Sequence, residues 1–372
     1  MLTLAHINVS DTPKGSRTSM RRLLERISWV DLILRLFQIA IIVAMIIGIY
    51  NSVTSGRYTN SQWATLVFAG LAQGSIYALI ALGYTLVYGI LLMINFAHGE
   101  VYMAGAFTTV FVANYFARTG FLASNPWLSI IIWLLISAAV STGIAVLLER
   151  IAYRPLRDAP RLVPLITAIG ASFALQYTFR GLYGAEFRSY PEVAALRGLV
   201  NIGEYQVPLV QLVVLGAAIL LMVALYIFVE RTKAGKAMRA VSEDKDVARL
   251  MGIDVDKVIV TTFAIGGALA GAAGVFNGLF RPVGVFFFMG FFPGLKAFTA
   301  AVLGGIGSVP GAMIGGLLLG VIESVFPNLI LEGLGIPSAN QLRDAFAFTM
   351  LVLILIFRPQ GIFGERLAEK KA

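Results

Sequence analysis

The segment ERTKAGKAMRAVSEDKDVARLMGIDVDK, residues 230–257, is a long and densely charged stretch inside a chain that is otherwise mostly apolar. It carries seven of the chain's 29 lysine and arginine residues, and long apolar runs flank it on both sides. A structured, charged segment in the middle of an apolar chain indicates a contact that is made in water. Two questions follow: what the flanking runs are, and what this segment touches.

The composition predicts a membrane protein. The 372 residues are 58% hydrophobic and only 13% charged, and the mean hydropathy is +0.83. Soluble domains carry roughly 25% charged residues. Each apolar run is near the ~20 residues that cross ~30 Å of hydrocarbon as a helix, and the runs lack the alternation over ~10 residues that barrel strands show. We therefore predict an all-α polytopic membrane protein.

The apolar runs predict about ten transmembrane helices. The number falls to eight if the run at 285–304 re-enters the membrane from one side and another run is misassigned. The candidate spans cover roughly residues 32–50, 65–88, 101–117, 127–148, 162–181, 207–229, 259–280, 285–304, 311–331 and 344–358.

The positive charges predict an orientation. With the N-terminus inside, 21 of the lysines and arginines lie on the cytoplasmic side and seven on the opposite side. Because lysine and arginine are retained in the cytoplasm, both termini and the segment 230–258 are expected there. The first 31 residues have no apolar stretch followed by a cleavage site, so no cleaved signal peptide is expected. The net charge of +9 is explained by topology, and no nucleic-acid partner is expected.

Two sets of polar or flexible residues interrupt the apolar runs, at 95–100 and at 304–311. Paired interruptions in the two halves of a transporter mark discontinuous helices around a central site, and irregular backbone is tolerated only when protein covers it or it lines water. A structural turn held by hydrogen bonds is the alternative for His98 and Glu100. The candidate residues of a translocation path are Asn95, His98, Glu100, Gly304, Gly305, Gly307 and Ser308.

Four further ionisable residues lie in or near the spans: Lys296, Glu323, Arg343 and Asp344. Such groups are costly in lipid and are functional candidates by default. Lys296 and Glu323 are predicted to pair across the bundle, which would be a structural role. A carrier coupled to protons or sodium would show a clearer relay of carboxylates within the spans.

Glycines recur at a spacing of four residues in several runs. On a helix they share one face and let two backbones approach closely, so they predict helix packing. The pairs are Gly70/Gly74, Gly267/Gly271, Gly290/Gly294, Gly311/Gly315 and Gly316/Gly320.

The sequence offers no enzyme constellation. It has no cysteine and only two histidines, His6 and His98, so neither a thiolate site nor a histidine-rich metal centre is expected. Gly235-Lys236 is followed by Ala237 without the upstream glycine of a phosphate-binding loop. The chain is therefore expected to be no enzyme and to bind no cofactor or metal itself. A membrane enzyme that uses His98 as a base is an alternative.

The charged segment contains the signals of a short helix from about residue 243 to 251. A serine can accept hydrogen bonds as N-cap, acidic residues in the first turn and an arginine in the last turn suit the helix dipole, and a glycine can end the helix in the left-handed region. The alternative is a solvated loop. The residues concerned are Ser242, Glu243, Asp244, Asp246, Arg249 and Gly252.

Four ordered blocks of sequence resemble the LivH-type permease subunit of branched-chain amino-acid ABC importers. The first is GLAQGSIYALIALGYTLVYGILLMINFAHGEVYMAGAF, residues 70–107, and the others are residues 147–176, 239–276 and 297–324. The resemblance covers about residues 62–360. It divides the chain into a basic arm (1–31), an extra span and loop (32–61), a permease domain (62–360) that contains the loop 230–258, and a tail (361–372).

The resemblance implies a machine of several chains. A second, related permease subunit, two cytoplasmic ATPase subunits that hold ATP and Mg, and a periplasmic substrate-binding protein would be the partners, in a bacterial inner membrane. The helix within 239–257 would couple to the ATPases. The form NFAHG favours branched-chain amino acids over urea as the solute. A permease for urea or amides, and a carrier or channel that works without ATP, remain the alternatives.

Overall fold

The computed structural model describes residues 29–157, 159–160, 162–281, 284–337, 339–358 and 360–363. Within them the fold is helical apart from one short hairpin. The basic arm predicted at residues 1–31 and the tail predicted at 361–372 lie largely outside the described residues.

The described part of the chain contains thirteen α-helices and two strands. The strands β1 (Leu199–Ile202) and β2 (Tyr205–Pro208) pair antiparallel, with Leu199 opposite Pro208. The helices are α1 (Trp29–Thr54), α2 (Asn60–Leu91), α3 (His98–Arg118), α4 (Phe121–Ser124), α5 (Pro126–Leu148), α6 (Leu162–Tyr183), α7 (Leu209–Arg231), α8 (Lys233–Glu243), α9 (Lys245–Leu250), α10 (Val255–Phe280), α11 (Phe291–Gly304), α12 (Val309–Phe326) and α13 (Arg343–Phe357).

Six helical segments among the described residues are long and apolar enough to cross a membrane, which makes the chain a multi-pass membrane protein. This finding does not establish the ten predicted spans. The run at 285–304 is helical only in α11, whose 14 residues reach about 21 Å at 1.5 Å per residue, short of the ~30 Å of hydrocarbon. The six segments are Asn60–Leu91, Pro126–Leu156, Leu162–Tyr183, Leu209–Arg231, Val255–Phe280 and Val309–Leu331.

Helix α2 is the centre of the bundle. It is buried almost continuously from Gly70 to Ile90 and packs most extensively on α12 and α10. A Cβ atom added at Gly74 would lie 2.7 Å from the carbonyl oxygen of Gly316. The two backbones are therefore in direct contact, as the glycine spacing predicts.

Serine hydroxyls join neighbouring helices in the same core. Ser137 on α5 donates to the carbonyl oxygen of Gly271 on α10 at 2.7 Å, and Ser141 donates to that of Val101 on α3 at 2.8 Å. Such bonds between helices satisfy hydroxyl groups where no water is present. They hold α3, α5 and α10 together around α2.

The bundle has two chemically different ends. Helix α7 leads from the strands directly to α8, so the loop that carries the hairpin and the charged segment lie at opposite ends. We call residues 184–208 the hairpin end. We call residues 149–157 and 232–254 the charged end, because ion pairs described below join these two segments through the start of α10.

The additional helix α1 docks near the end of α12. Its Ser52 hydroxyl donates to the carbonyl oxygen of Asn328 at 3.3 Å, and the Asn51 amide donates to that of Gly333 at 3.2 Å. Gly48 lies directly against the Ile330 carbonyl. Most other described side chains of α1 are exposed, which fits a helix surrounded by hydrocarbon.

The contact between α2 and α12 predicts opposite effects of one methyl group at two glycines of α2. Gly74→Ala should lower the free energy of unfolding by about 1–3 kcal/mol, because the methyl group meets backbone that cannot move away. Gly89 has no atom within 4 Å of an added Cβ. Gly89→Ala should therefore be neutral or stabilising by up to ~1 kcal/mol. Thermal unfolding of the purified chain in detergent checks this, and equal shifts in the two variants would contradict the packing.

Candidate functional site

The charged segment forms two helices rather than one. The Thr232 hydroxyl caps α8 by accepting from the N–H of Gly235 at 3.0 Å. The Asp244 carboxylate caps α9 by accepting from the N–H groups of Asp246 and Val247 at 2.8 and 2.9 Å. The chain thus turns sharply at Asp244, where the backbone is extended.

The predicted N-cap Ser242 is therefore wrong. Ser242 lies inside α8, and its hydroxyl donates to the carbonyl oxygen of Arg239 at 2.7 Å. Glu243 is the last residue of α8, so the predicted helix 243–251 is shorter and spans Lys245–Leu250. Asp244 is the N-cap instead, because its backbone is extended and its carboxylate accepts hydrogen bonds from two N–H groups.

Helix α9 presents a mixed apolar and charged surface. Leu250 and Met251 are 87% and 78% exposed, while Ala248 is buried and fixes the helix to the body. Asp246 and Arg249 lie in the first and last turns, 3.6 Å apart, and Gly252 follows with a φ of 83°. Leu250 and Met251 thus expose apolar surface at the charged end.

Ion pairs attach this surface to the neighbouring loop. Arg157 pairs both with Asp256 in the first turn of α10 and with Glu149, which is fully buried. Arg154 also pairs with Glu149, at 3.2 Å. The Asp254 carboxylate caps α10, and accepting the Lys257 N–H lowers the pKa of Asp254 below its usual value.

The first interruption lies beside this loop. Leu92 ends α2 in a left-handed conformation. The Asn95 side-chain oxygen accepts from the N–H of Ala97 at 3.1 Å and from the Tyr153 hydroxyl at 2.5 Å. The ring of Tyr153 also lies against Phe263 of α10. Tyr153 therefore links the loop of the charged end to the interruption.

His98 and Glu100, in the first turn of α3, are buried. The His98 ring meets the edge of Tyr84 with centroids 5.1 Å apart, and no hydrogen bond reaches its Nε2 among the described residues. The Glu100 carboxylate accepts from the Gln176 amide at 2.7 Å and from the Ser172 hydroxyl at 3.3 Å. The three helices α2, α3 and α6 thus share one polar cluster inside the bundle.

Ser172 and Gln176 were missed by sequence reasoning, although a signal exists. They are spaced four residues apart on α6, so they share one face of the helix. An apolar cleft of about 230 Å³ opens beside them. Its lining residues are Tyr84, Phe96, Ile169, Ser172, Phe173, Phe291 and Leu295.

The second interruption is a tight turn between α11 and α12. Gly305 and Gly307 take φ values of 103° and 98°, and the Ser308 hydroxyl caps α12 by accepting from Gly311 at 3.1 Å. The carbonyl oxygen of Gly304 accepts from the N–H of Phe363 at 2.9 Å. No hydrogen bond between described residues joins this turn to the first interruption. The first set bonds to Tyr153 and to α6, whereas the hydrogen bonds of the turn are made within it and to residues 362–363.

The predicted pair of Lys296 and Glu323 is confirmed at 2.6 Å. Asp344 of α13 also lies 2.6 Å from the Lys296 ammonium, and the Tyr77 hydroxyl lies 3.3 Å from it. The ammonium group thus ties α2, α11, α12 and α13 together inside the bundle.

A multi-pass helical bundle with ionisable and polar clusters in its interior is typical of membrane transport proteins. The chain belongs to the family of branched-chain amino acid transport system permease components, whose family model matches residues 66–355. This confirms the resemblance seen in the sequence.

Individual relatives agree with the family. The chain is 42% identical over 309 residues to the high-affinity branched-chain amino acid transport system permease protein BraD of Pseudomonas aeruginosa, covering 81% of this chain and 95% of that protein. It is 41% identical over 307 residues to LivH of Salmonella typhimurium, covering 82% and 96%. It is 27% identical over 338 residues to the probable permease protein LivM of Methanocaldococcus jannaschii, covering 86% and 91%. No solved structure matches the chain.

The bond between Tyr153 and Asn95 predicts a graded loss of stability. Tyr153→Phe removes one donor and should lower the free energy of unfolding by about 1 kcal/mol. Asn95→Leu also leaves the Ala97 N–H and the Tyr153 hydroxyl without their acceptor, so its effect should be larger, at ~1–3 kcal/mol for each orphaned group. Thermal unfolding in detergent measures both.

The control for this prediction is Tyr88→Phe. The Tyr88 hydroxyl makes no hydrogen bond within the described part of the chain, so this variant should unfold like the parent. If Tyr153→Phe were also silent, Tyr153 would not stabilise the interruption.

Proposed function

We propose that the chain is a permease subunit of an ABC importer, which takes branched-chain amino acids or similar small amino acids into a bacterial cytoplasm. A second, related permease subunit would complete the pathway, and the likeness to both LivH and LivM proteins supports a pair of related chains. ATP and Mg would be bound by two separate ATPase subunits. The sequence supports that division of labour, because it carries no phosphate-binding loop.

The orientation we propose has the charged end in the cytoplasm and the hairpin end in the periplasm. The excess of lysine and arginine on the side of the charged end supports it. The chain would cross about ten times, in α1, α2, α3, α5, α6, α7, α10, α11, α12 and α13, with residues 284–290 extending the short α11 to complete its passage. A periplasmic binding protein would then deliver the solute to the hairpin end, where Leu199 and Ile202 are exposed.

The single observation that carries the proposal is the surface of α9. Leu250 at its end and Met251 directly after it are exposed apolar side chains. They lie near Asp246 and Arg249 on a helix that the Asp244 carboxylate caps. Apolar anchors within a polar rim are typical of protein interfaces. A chain that has no nucleotide site of its own needs such a contact to receive force from an ATPase.

The contacts behind α9 provide a route for that force. A displacement of the charged segment would pull on Asp256 at the start of α10 and, through Arg157, on the buried Glu149. The same loop carries Tyr153, which holds Asn95 in the interruption before α3. Such a route is a packed chain of ion pairs and hydrogen bonds, the kind of element that can carry coupling between sites.

The interior end of this route is the polar cluster on Glu100. The cluster adjoins the apolar cleft through Ser172, which belongs to both. The cleft offers aliphatic and aromatic walls to an aliphatic side chain, and the cluster offers hydrogen bonds. We place the inner part of the translocation path here.

The docking role of α9 is tested by Leu250→Asp. The side chain is 87% exposed, so the permease should fold normally while the ATPase subunits no longer co-purify with it. A charge placed at an apolar anchor typically weakens an interface by 2 kcal/mol or more, about thirtyfold. The matched control is Leu199→Asp, since Leu199 is 59% exposed at the hairpin end. Normal ATPase recovery with Leu250→Asp would remove α9 from the interface.

The route through Arg157 is tested with a double-mutant cycle in the assembled transporter. Asp256→Asn and Arg157→Gln should each lower amino-acid uptake per ATP hydrolysed. The double variant should be no worse than Arg157→Gln alone, because Arg157→Gln already removes the link that Asp256→Asn breaks. Arg150→Gln changes an exposed residue of the same loop that pairs with no carboxylate within the described residues, so it should leave that ratio unchanged. Additive losses in the double variant would show that the two residues act separately.

A further inference from the structure

A polar cavity lies toward the hairpin end. It shares no lining residue with the apolar cleft beside Glu100. Its volume is about 230 Å³, and five helices and the residue after α10 form its walls. Gln211, in the first turn of α7, places it near the strands. Its lining residues are Leu66, Ala69, Gln73, Gln211, Phe280, Arg281, Gly320, Glu323, Ser324 and Arg343.

Three of the lining residues carry a buried oxygen that accepts no hydrogen bond from any described residue. They are the side-chain oxygens Oε1 of Gln73, Oε1 of Gln211 and Oε2 of Glu323. Gln73 and Glu323 are only 6% and 3% exposed. Buried acceptors are normally paired, and each unpaired one calls for an explanation. Three that line one cavity call for a donor with several N–H groups.

The same cavity is lined by two guanidinium groups, those of Arg281 and Arg343. A guanidinium is a planar donor that suits a carboxylate. The cavity therefore combines acceptors for a cation with donors for an anion. A solute with only a cationic group would leave the guanidinium donors unused, and a solute with only an anionic group would leave the acceptors unused.

Neighbouring ion pairs hold the Glu323 carboxylate in position at the wall of the cavity. Lys296 takes the other carboxylate oxygen, Oε1, and is itself shared with Asp344. Arg281 and Arg343 line the same cavity, so with Lys296, Glu323 and Asp344 these five side chains carry three positive and two negative charges. A zwitterion adds no net charge and leaves that balance unchanged.

We infer that this cavity binds a free α-amino acid in its zwitterionic form. The ammonium group would donate to Glu323, Gln73 and Gln211, and the carboxylate would accept from Arg281 and Arg343. The volume lies slightly below the ~300 Å³ at which ordinary ligand pockets begin, so the solute must be small. Leu66, Ala69 and Phe280 supply apolar contacts for an aliphatic side chain.

The inference rests on the proposed function and deepens it. A solute delivered at the hairpin end would meet this cavity before it reached the cleft beside Glu100. Selection for the α-amino-acid group would then occur within the permease itself, in addition to any selection by a binding protein.

The test is direct binding to the purified assembly of permease and ATPase subunits, without a binding protein. L-leucine should bind saturably. Two probes lack one group each: 4-methylpentanoic acid has no ammonium group, and 3-methylbutylamine has no carboxylate. Each should bind at least about tenfold more weakly than leucine, which corresponds to a loss of ~1.4 kcal/mol.

Variants locate the site. Gln73→Leu and Arg281→Gln should each weaken leucine binding at least about tenfold. Arg118→Gln removes a charge from an exposed position on α3 outside the cavity and should bind like the parent. Thermal unfolding checks that each variant folds. If Gln73→Leu does not fold, the half-buried Gln211 is changed to Leu instead.

The inference is overturned if the parent assembly does not bind leucine, if both cavity variants bind it normally, or if either probe binds as tightly as leucine. Uptake by the complete transporter is measured in parallel. ATP-driven leucine uptake without leucine binding to the assembly would reject the cavity and keep the proposed function. Leucine binding that the cavity variants abolish, without any ATP-driven uptake, would keep the cavity and reject the proposed function.

Discussion

The contact between the backbones of α2 and α12 sets the geometry of the interior. The hydrocarbon core of a membrane supplies no water to polar groups, so an ionisable side chain inside it is stabilised mainly by partners within the protein. The glycines on both helices remove the side chains that would keep the two backbones apart. Glu323 on α12 therefore lies near Tyr77 on α2, and the Lys296 ammonium bonds to both.

Glycines also allow close packing at the start of α3. The His98 ring lies directly against Gly83 of α2, and Gly99 packs on Gly290 and Gly294. Because these positions carry no side chains, the first turn of α3 can pack close to α2 and come within hydrogen-bonding distance of α6. Glu100 is thereby brought to Gln176. Polar chemistry deep in the bundle depends on glycine at each of these crossings.

Much of this architecture can be predicted from the sequence, because its signals are local. Apolar runs predict helices, the spacing of glycines predicts close helix packing without naming the partner helix, and opposite charges in apolar runs predict the pair of Lys296 and Glu323. The helix breaks follow from polar residues and glycines clustered in otherwise apolar segments. The family itself is readable from four ordered blocks.

The sequence does not determine which of several similar side chains becomes the N-cap of a helix or the partner in an ion pair. Ser242 and Asp244 both suit an N-cap, and only the extended backbone at Asp244 decides between them. Asp344 joins Lys296 from the last helix, far along the chain, so no local pattern reveals it. The pair of Arg157 and Asp256 likewise joins two loops across the charged end, and the length of α11 depends on how residues 284–290 pack.

The central claim is that ATP hydrolysis on other subunits drives this chain. It is tested most directly by leucine uptake into liposomes that contain the permease pair, the ATPases and the binding protein. We predict that uptake requires ATP on the side of the ATPases, and that proton or sodium gradients do not replace it. Uptake by this chain alone, driven by an ion gradient without ATP, would contradict the account.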